Sequence, residues 1–110
     1  MSVSHRELSA GRWRSMSVVE QLANIGGEIG RAVKWRQKNN PAYSGKAAER
    51  ALELIDFTLD DPKNIKRLRE IARLREAAAD YFFGDNTWGS TDKSWSRYVS
   101  HFATAARRAG

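Results

Sequence analysis

Apolar residues in this 110-residue chain recur every three or four positions over four long stretches, and they never alternate with polar residues over a strand's length. A period near 3.6 gathers apolar side chains on one face of a helix, whereas a half-buried strand needs a period of two. The pattern therefore confines the chain to amphipathic helices packed on one another, and its length suits a single domain with one core.

Start and stop signals divide the pattern. Ser17-Val18-Val19-Glu20 has capping-box spacing and predicts a helix from Ser17, with Val18, Leu22, Ile25, Ile29 and Val33 in one stripe. Gly26, Gly27 and Gly30 fall inside it and call for a close neighbour, since a helical glycine costs up to ~1 kcal/mol relative to alanine. Asn39-Asn40-Pro41 ends this helix. A second is predicted from about Ser44 to Leu59, with Ala48, Ala51, Leu52, Ile55 and Leu59 inward. Asp60-Asp61-Pro62 starts a third, running to Phe83 before Gly84, with Ile65, Leu68, Ile71, Ala72, Ala78, Ala79 and Phe82 inward. Ser90 or Thr91 caps a fourth that reaches about Arg108 on a stripe of Trp95, Tyr98, Val99, Phe102, Ala105 and Ala106. The expectation is an all-α, antiparallel up-down four-helix bundle over residues 17–110, preceded by a short basic N-terminal arm over residues 1–16.

Chemistry is narrowed by what the side chains lack. The sequence has no cysteine, its two histidines, His5 and His101, are far apart, and no nucleophile–base pair or paired carboxylates stand at catalytic spacing. A protein without enzymatic activity, metal or cofactor is expected. No apolar run nears the ~20 residues of a membrane span, and a soluble, cytoplasmic protein that does not engage a membrane is the reading.

Charge supplies the positive signal. The formal net charge is +6, which favours polyanionic partners. Lys63, Lys66, Arg69 and Arg73 share one side of the third predicted helix. Lys93, Arg97, His101 and Arg108 lie outward on the fourth, and Arg6, Arg12 and Arg14 punctuate the arm. Cations held on helices neutralise phosphates and release counterions, so Arg12, Arg14, Lys63, Lys66, Arg69, Arg73, Lys93, Arg97 and Arg108 are the candidate nucleic-acid contacts. A solvated outer face is the competing reading.

Glu49, Glu53 and Asp56 give the second predicted helix an acidic outer face, and with the off-stripe aromatics Trp35 and Phe57 they form a candidate surface for homo-oligomer contact. Neutralisation between neighbouring helices of one chain explains the same charges equally well. Arg75 falls within the third helix's apolar stripe, where a buried guanidinium requires an acceptor; Glu20, Glu28 or another carboxylate is expected to supply it. An oligomeric scaffold or adaptor with no nucleic-acid role is thus the alternative function.

Gly11-Arg12-Trp13 leading into Ser17-Val18-Val19-Glu20-Gln21-Leu22, the run Arg67-Leu68-Arg69-Glu70-Ile71-Ala72-Arg73-Leu74-Arg75-Glu76, Tyr81-Phe82-Phe83-Gly84-Asp85-Asn86 before Gly89-Ser90-Thr91, and Phe102-Ala103-Thr104-Ala105-Ala106-Arg107 cover most of the chain. In these the chain resembles the four-helix-bundle family of 23S rRNA intervening-sequence proteins and the accessory variability proteins of diversity-generating retroelements. For the retroelement branch the resemblance implies a ring-shaped homo-oligomer, a pentamer, with a positively charged surface that binds nucleic acid and a partner reverse transcriptase; the basic faces themselves are expected to hold a structured RNA or an RNA–DNA hybrid by phosphate contacts. The resemblance brings no catalytic residue.

Overall fold

The structure is a computed structural model describing the backbone of residues 5–109 and the side chains of residues 10–105 and of Arg108. Arg6 and Ala106, read above as an arm cation and a stripe residue, lie outside the described side chains. The described residues form five α-helices and no strand: α1 (His5–Arg14), α2 (Val18–Gln37), α3 (Pro41–Leu59), α4 (Leu68–Phe83) and α5 (Asp92–Ala109), with a 3₁₀ turn over Pro62–Arg67 ahead of α4. Helix α2 packs against both α3 and α5, and α3 against α4.

The stretch read as an arm is helical from His5, and its end is built into the domain. Trp13 is buried and donates its indole N–H to Thr58 Oγ1 at 2.8 Å. Its carbonyl accepts from Gln21 Nε2 at 2.9 Å. The buried indole, with its bonds to Thr58 and from Gln21, fixes α1 on the α3 side.

Helix α2 begins as expected. Ser17 accepts from the Glu20 amide while the Glu20 carboxylate accepts from the Ser17 amide, and these bonds hold the Glu20 pKa below its usual value. Leu22, Ile25, Ile29 and Val33 are buried. A Cβ added at Gly26 would sit 3.6 Å from Val99 Cα, and one at Gly30 would sit 3.8 Å from Val99 Cγ1. Helix α5 therefore comes close over these two glycines; Gly27 faces open space, and nothing in the structure explains it.

Asn39-Asn40-Pro41 ends α2 and also starts α3, three residues earlier than expected. Asn39 takes a left-handed φ of 59°, Asn40 Oδ1 accepts from the Tyr43 amide at 3.1 Å, and proline occupies the first turn. The third predicted helix differs in its opening turn. Asp61 caps it by accepting from the Lys63 amide, but the turn winds as 3₁₀, and three residues per turn place different side chains inward than 3.6 do. Ile65, expected in the core, is 69% exposed and Leu68 is also exposed, while Asn64 takes the inward position.

In the loop before α5, Asp80 accepts from the amides of Trp88 and Thr87, which keeps its carboxyl pKa low. Thr91 proves to be the cap: its hydroxyl accepts from the Ser94 amide, and Ser94 Oγ accepts from the Thr91 amide, both at 3.0 Å. Trp95 and Phe102 then join the core, with Tyr98 and Val99 packed beside them.

Candidate functional site

Helices α4 and α5 carry the largest share of the cations singled out in the sequence, and the fold brings three of them to one groove. Lys66 comes from the end of the 3₁₀ turn, and Arg69 and Arg73 stand one turn apart on α4. Leu74, Ala77, Trp95 and Tyr98 supply the apolar lining of this space of about 510 Å³. Among the described residues none of Lys66, Arg69 and Arg73 forms an ion pair, so their charges remain available.

Four lining residues escaped the sequence reading, the apolar Leu74 and Ala77 and the charged Arg67 and Glu70. Arg67 and Glu70 meet at 3.0 Å on the rim and largely cancel each other. Their three-residue spacing is a signal that an ion pair on a helix face leaves in a sequence, but the same spacing occurs at Glu28–Arg31 and Arg50–Glu53. Burial, reinforced by the nearby Glu70 carboxylate, pushes the Tyr98 hydroxyl up to about 12, so this phenol stays neutral through the physiological range. Trp95 is 5% exposed, and its indole N–H has no acceptor among the described residues.

Other predicted contacts stand apart from the groove. Lys93, Arg97 and Arg108 are exposed on α5, as is His101. Arg12 and Arg14 are exposed at the end of α1, where Arg14 reaches the Asp60 carbonyl at 3.4 Å. Lys63 is already engaged: its ammonium pairs with the buried Asp61 carboxylate and donates to the Arg14 carbonyl at 3.0 Å. Its charge holds the α1–α3 junction together. Burial by itself would raise the Asp61 pKa, but the bonds from Lys63 and Gln21 outweigh it and hold the carboxyl below its usual value.

The acidic and aromatic residues assigned to an oligomer surface are dispersed. Phe57 is 4% exposed and belongs to the core. Asp56 accepts from Arg75 Nε at 2.6 Å, and Glu53 pairs with Arg50 on its own helix. Glu49 is exposed, and Trp35 is partly covered by an edge-on contact with Tyr43. Arg75 itself is a correction in one respect: its side chain is 41% exposed rather than buried, while the carboxylate it was expected to need is supplied by Asp56. A long guanidinium at the margin of the stripe reaches the neighbouring helix and keeps its head in water, and Asp56 raises its pKa further.

Fold and groove together define an all-α protein with a cation-rimmed, aromatic-lined cleft. Comparison with models of known families, with curated proteins and with solved structures finds no match to this chain.

Proposed function

We propose that this is a non-catalytic nucleic-acid-binding domain whose groove between α4 and α5 holds RNA or an RNA–DNA hybrid by contacts to phosphates. The observation that carries the reading is the convergence of Lys66, Arg69 and Arg73, free of ion pairs among the described residues, on one open groove. Cations already fixed on helices bind a polyanion at little ordering cost and release its counterions. Arg97 and Lys93 on α5, Arg108 near its end, and Arg12 and Arg14 on α1 extend the positive field beyond the groove. The reading includes an antiparallel up-down arrangement of α2 to α5. It is supported by Ser44 of α3 bonding the Ala32 carbonyl of α2, Arg75 of α4 bonding Asp56 of α3, and Gln37 at the end of α2 reaching Asp92 at the start of α5.

The family resemblance extends the proposal to an accessory role beside a reverse transcriptase, as a homo-oligomer. The competing scaffold reading is weaker for having lost Phe57 to the core and Asp56 to Arg75. The test is a titration of a labelled, structured RNA against the wild type and against the Arg69→Gln/Arg73→Gln variant, with an acidic protein as control. Binding to RNA alone, weakened in the variant while the helical circular dichroism signal is unchanged, is expected. Equal affinity of the two proteins removes the groove from the site, and binding to the control instead of RNA selects the scaffold.

A further inference from the structure

The groove's rim and its lining call for different parts of a ligand. Lys66, Arg67, Arg69 and Arg73 face a single carboxylate, Glu70, so the rim is strongly cationic. Beneath it, Leu74, Ala77, Tyr98 and Trp95 offer an apolar and aromatic surface that a phosphate gains nothing by touching. A binder of duplex backbone needs the rim alone. This lining suits a flat, apolar-faced group, and bases stack on aromatic side chains whatever their sequence.

Trp95 forms the floor of the groove, with 5% of its surface exposed, and Tyr98 beside it offers the more open ring. The volume of about 510 Å³ lies within the range of ordinary small-molecule sites. Spacing of the cations further separates a strand from a free nucleotide. Arg69 and Arg73 stand a turn apart with Lys66 ahead of them, a row suited to successive phosphates of one backbone.

We infer that the α4–α5 groove takes an unpaired nucleotide of a single-stranded segment, its base against Tyr98, Leu74 and Trp95 and its flanking phosphates on Lys66, Arg69 and Arg73. This rests on the nucleic-acid reading above and adds to it a preference for unpaired over paired RNA. Recognition through a base face and a backbone is indifferent to sequence, which fits a groove lacking a fixed set of polar groups to read base edges.

The experiment is a titration of the isotope-labelled full chain, followed through its tryptophan indole N–H resonances, with three probes: a short oligouridine, a blunt RNA duplex of equal phosphate number, and uridine monophosphate. Trp95→Phe assigns the Trp95 signal. Expected are a displaced Trp95 resonance with oligouridine, roughly tenfold tighter binding of oligouridine than of duplex, and weak binding of the mononucleotide. Ala77→Leu, which fills the lining without changing charge, should abolish the single-strand advantage and leave duplex binding intact; it also serves if Trp95→Phe unfolds. Equal binding of strand and duplex with an unmoved Trp95 signal overturns the inference and leaves the phosphate reading standing. Mononucleotide binding as tight as the strand's overturns it in favour of a free-nucleotide site. Failure of all three probes to bind overturns both readings.

Discussion

Asn64 is almost wholly buried, and its side-chain amide donates to Gln21 Oε1 at 2.9 Å and to the Thr58 carbonyl at 3.0 Å. Gln21 in turn donates to Asp61 Oδ2 and to the Trp13 carbonyl, so one polar cluster ties the end of α1, the start of α2, the end of α3 and the 3₁₀ turn. Such a cluster is costly when broken, because each lost member leaves a buried partner unsatisfied. Asn64→Ala is expected to lower stability by about 1–3 kcal/mol in urea unfolding, even though the Asn64 carbonyl oxygen is itself unpaired among the described residues. Stability should also depend on pH at both extremes. The Asp61 pKa is lowered on folding, so its contribution is present above 3.8, the unfolded value, and fades as pH falls through the lower folded one. Tyr81, which burial and a hydrogen bond to Asp92 raise to about 12, behaves oppositely, as does Tyr98. Their contribution is complete below about pH 10, the unfolded tyrosine value, and is lost as pH rises towards 12. Tyrosinate absorbance followed alongside circular dichroism should show Tyr81 and Tyr98 ionising late, together with alkaline unfolding.

At the scale of the helix, the glycines of α2 separate two explanations. Gly26 and Gly30 let Val99 of α5 approach, whereas Gly27 faces open space. Gly27→Ala should therefore raise stability by about 0.5–1 kcal/mol through the helix alone, while Gly26→Leu should lower it by about 1–3 kcal/mol by driving α5 outward. Thermal melts of the two variants moving in the same direction would contradict this division. The glycines also show why some elements were legible in the sequence. Capping chemistry is local, so Ser17, Pro62 and Thr91 mark boundaries without reference to the rest of the fold. The stripes of α2 and α5 were legible for the same reason, being one helix's own periodicity. Helix α1 was not, because Trp13 is held by Thr58 and Gln21, residues brought near only by the fold. Nor was the exposure of Ile65, since a 3₁₀ turn replaces the period on which the stripe was drawn. Of the candidate site, the row Lys66, Arg69 and Arg73 could be read from helical angle. Its aromatic lining could not, as Trp95 and Tyr98 come from a helix more than twenty residues further along the chain.

Over the whole molecule the question is where an excess of +6 is presented. Among the described residues the ion pairs Arg31–Glu28, Arg50–Glu53, Lys63–Asp61, Arg67–Glu70 and Arg75–Asp56 remove five cations from the free set and spend five acids with them. An oligomer contact through the acidic face would draw on exposed Glu49 and on Glu53, whose pair with Arg50 lies within its own helix, since replacing Asp56 would also break the bond to Arg75 that joins α3 to α4. If the ring forms, Glu49→Lys/Glu53→Lys should move the light-scattering mass from a multiple of 12.4 kDa towards that value itself. On the proposed function, nucleic-acid binding would draw on the cations that remain. Each phosphate neutralised on a single strand adds about 0.7 to the steepness with which log affinity falls against log salt. Lys66, Arg69, Arg73 and Arg97, taken as four contacts, give a slope of about −3. Arg69→Gln/Arg73→Gln should flatten this by about 1.4 and weaken binding equally across sequences, because the lost contacts are to phosphate. Titrations at several salt concentrations separate this from its rivals: an unchanged slope with weaker affinity would mean that the two arginines support the groove's shape without touching phosphate, and a slope near zero in the wild type would mean that the positive surface is solvated.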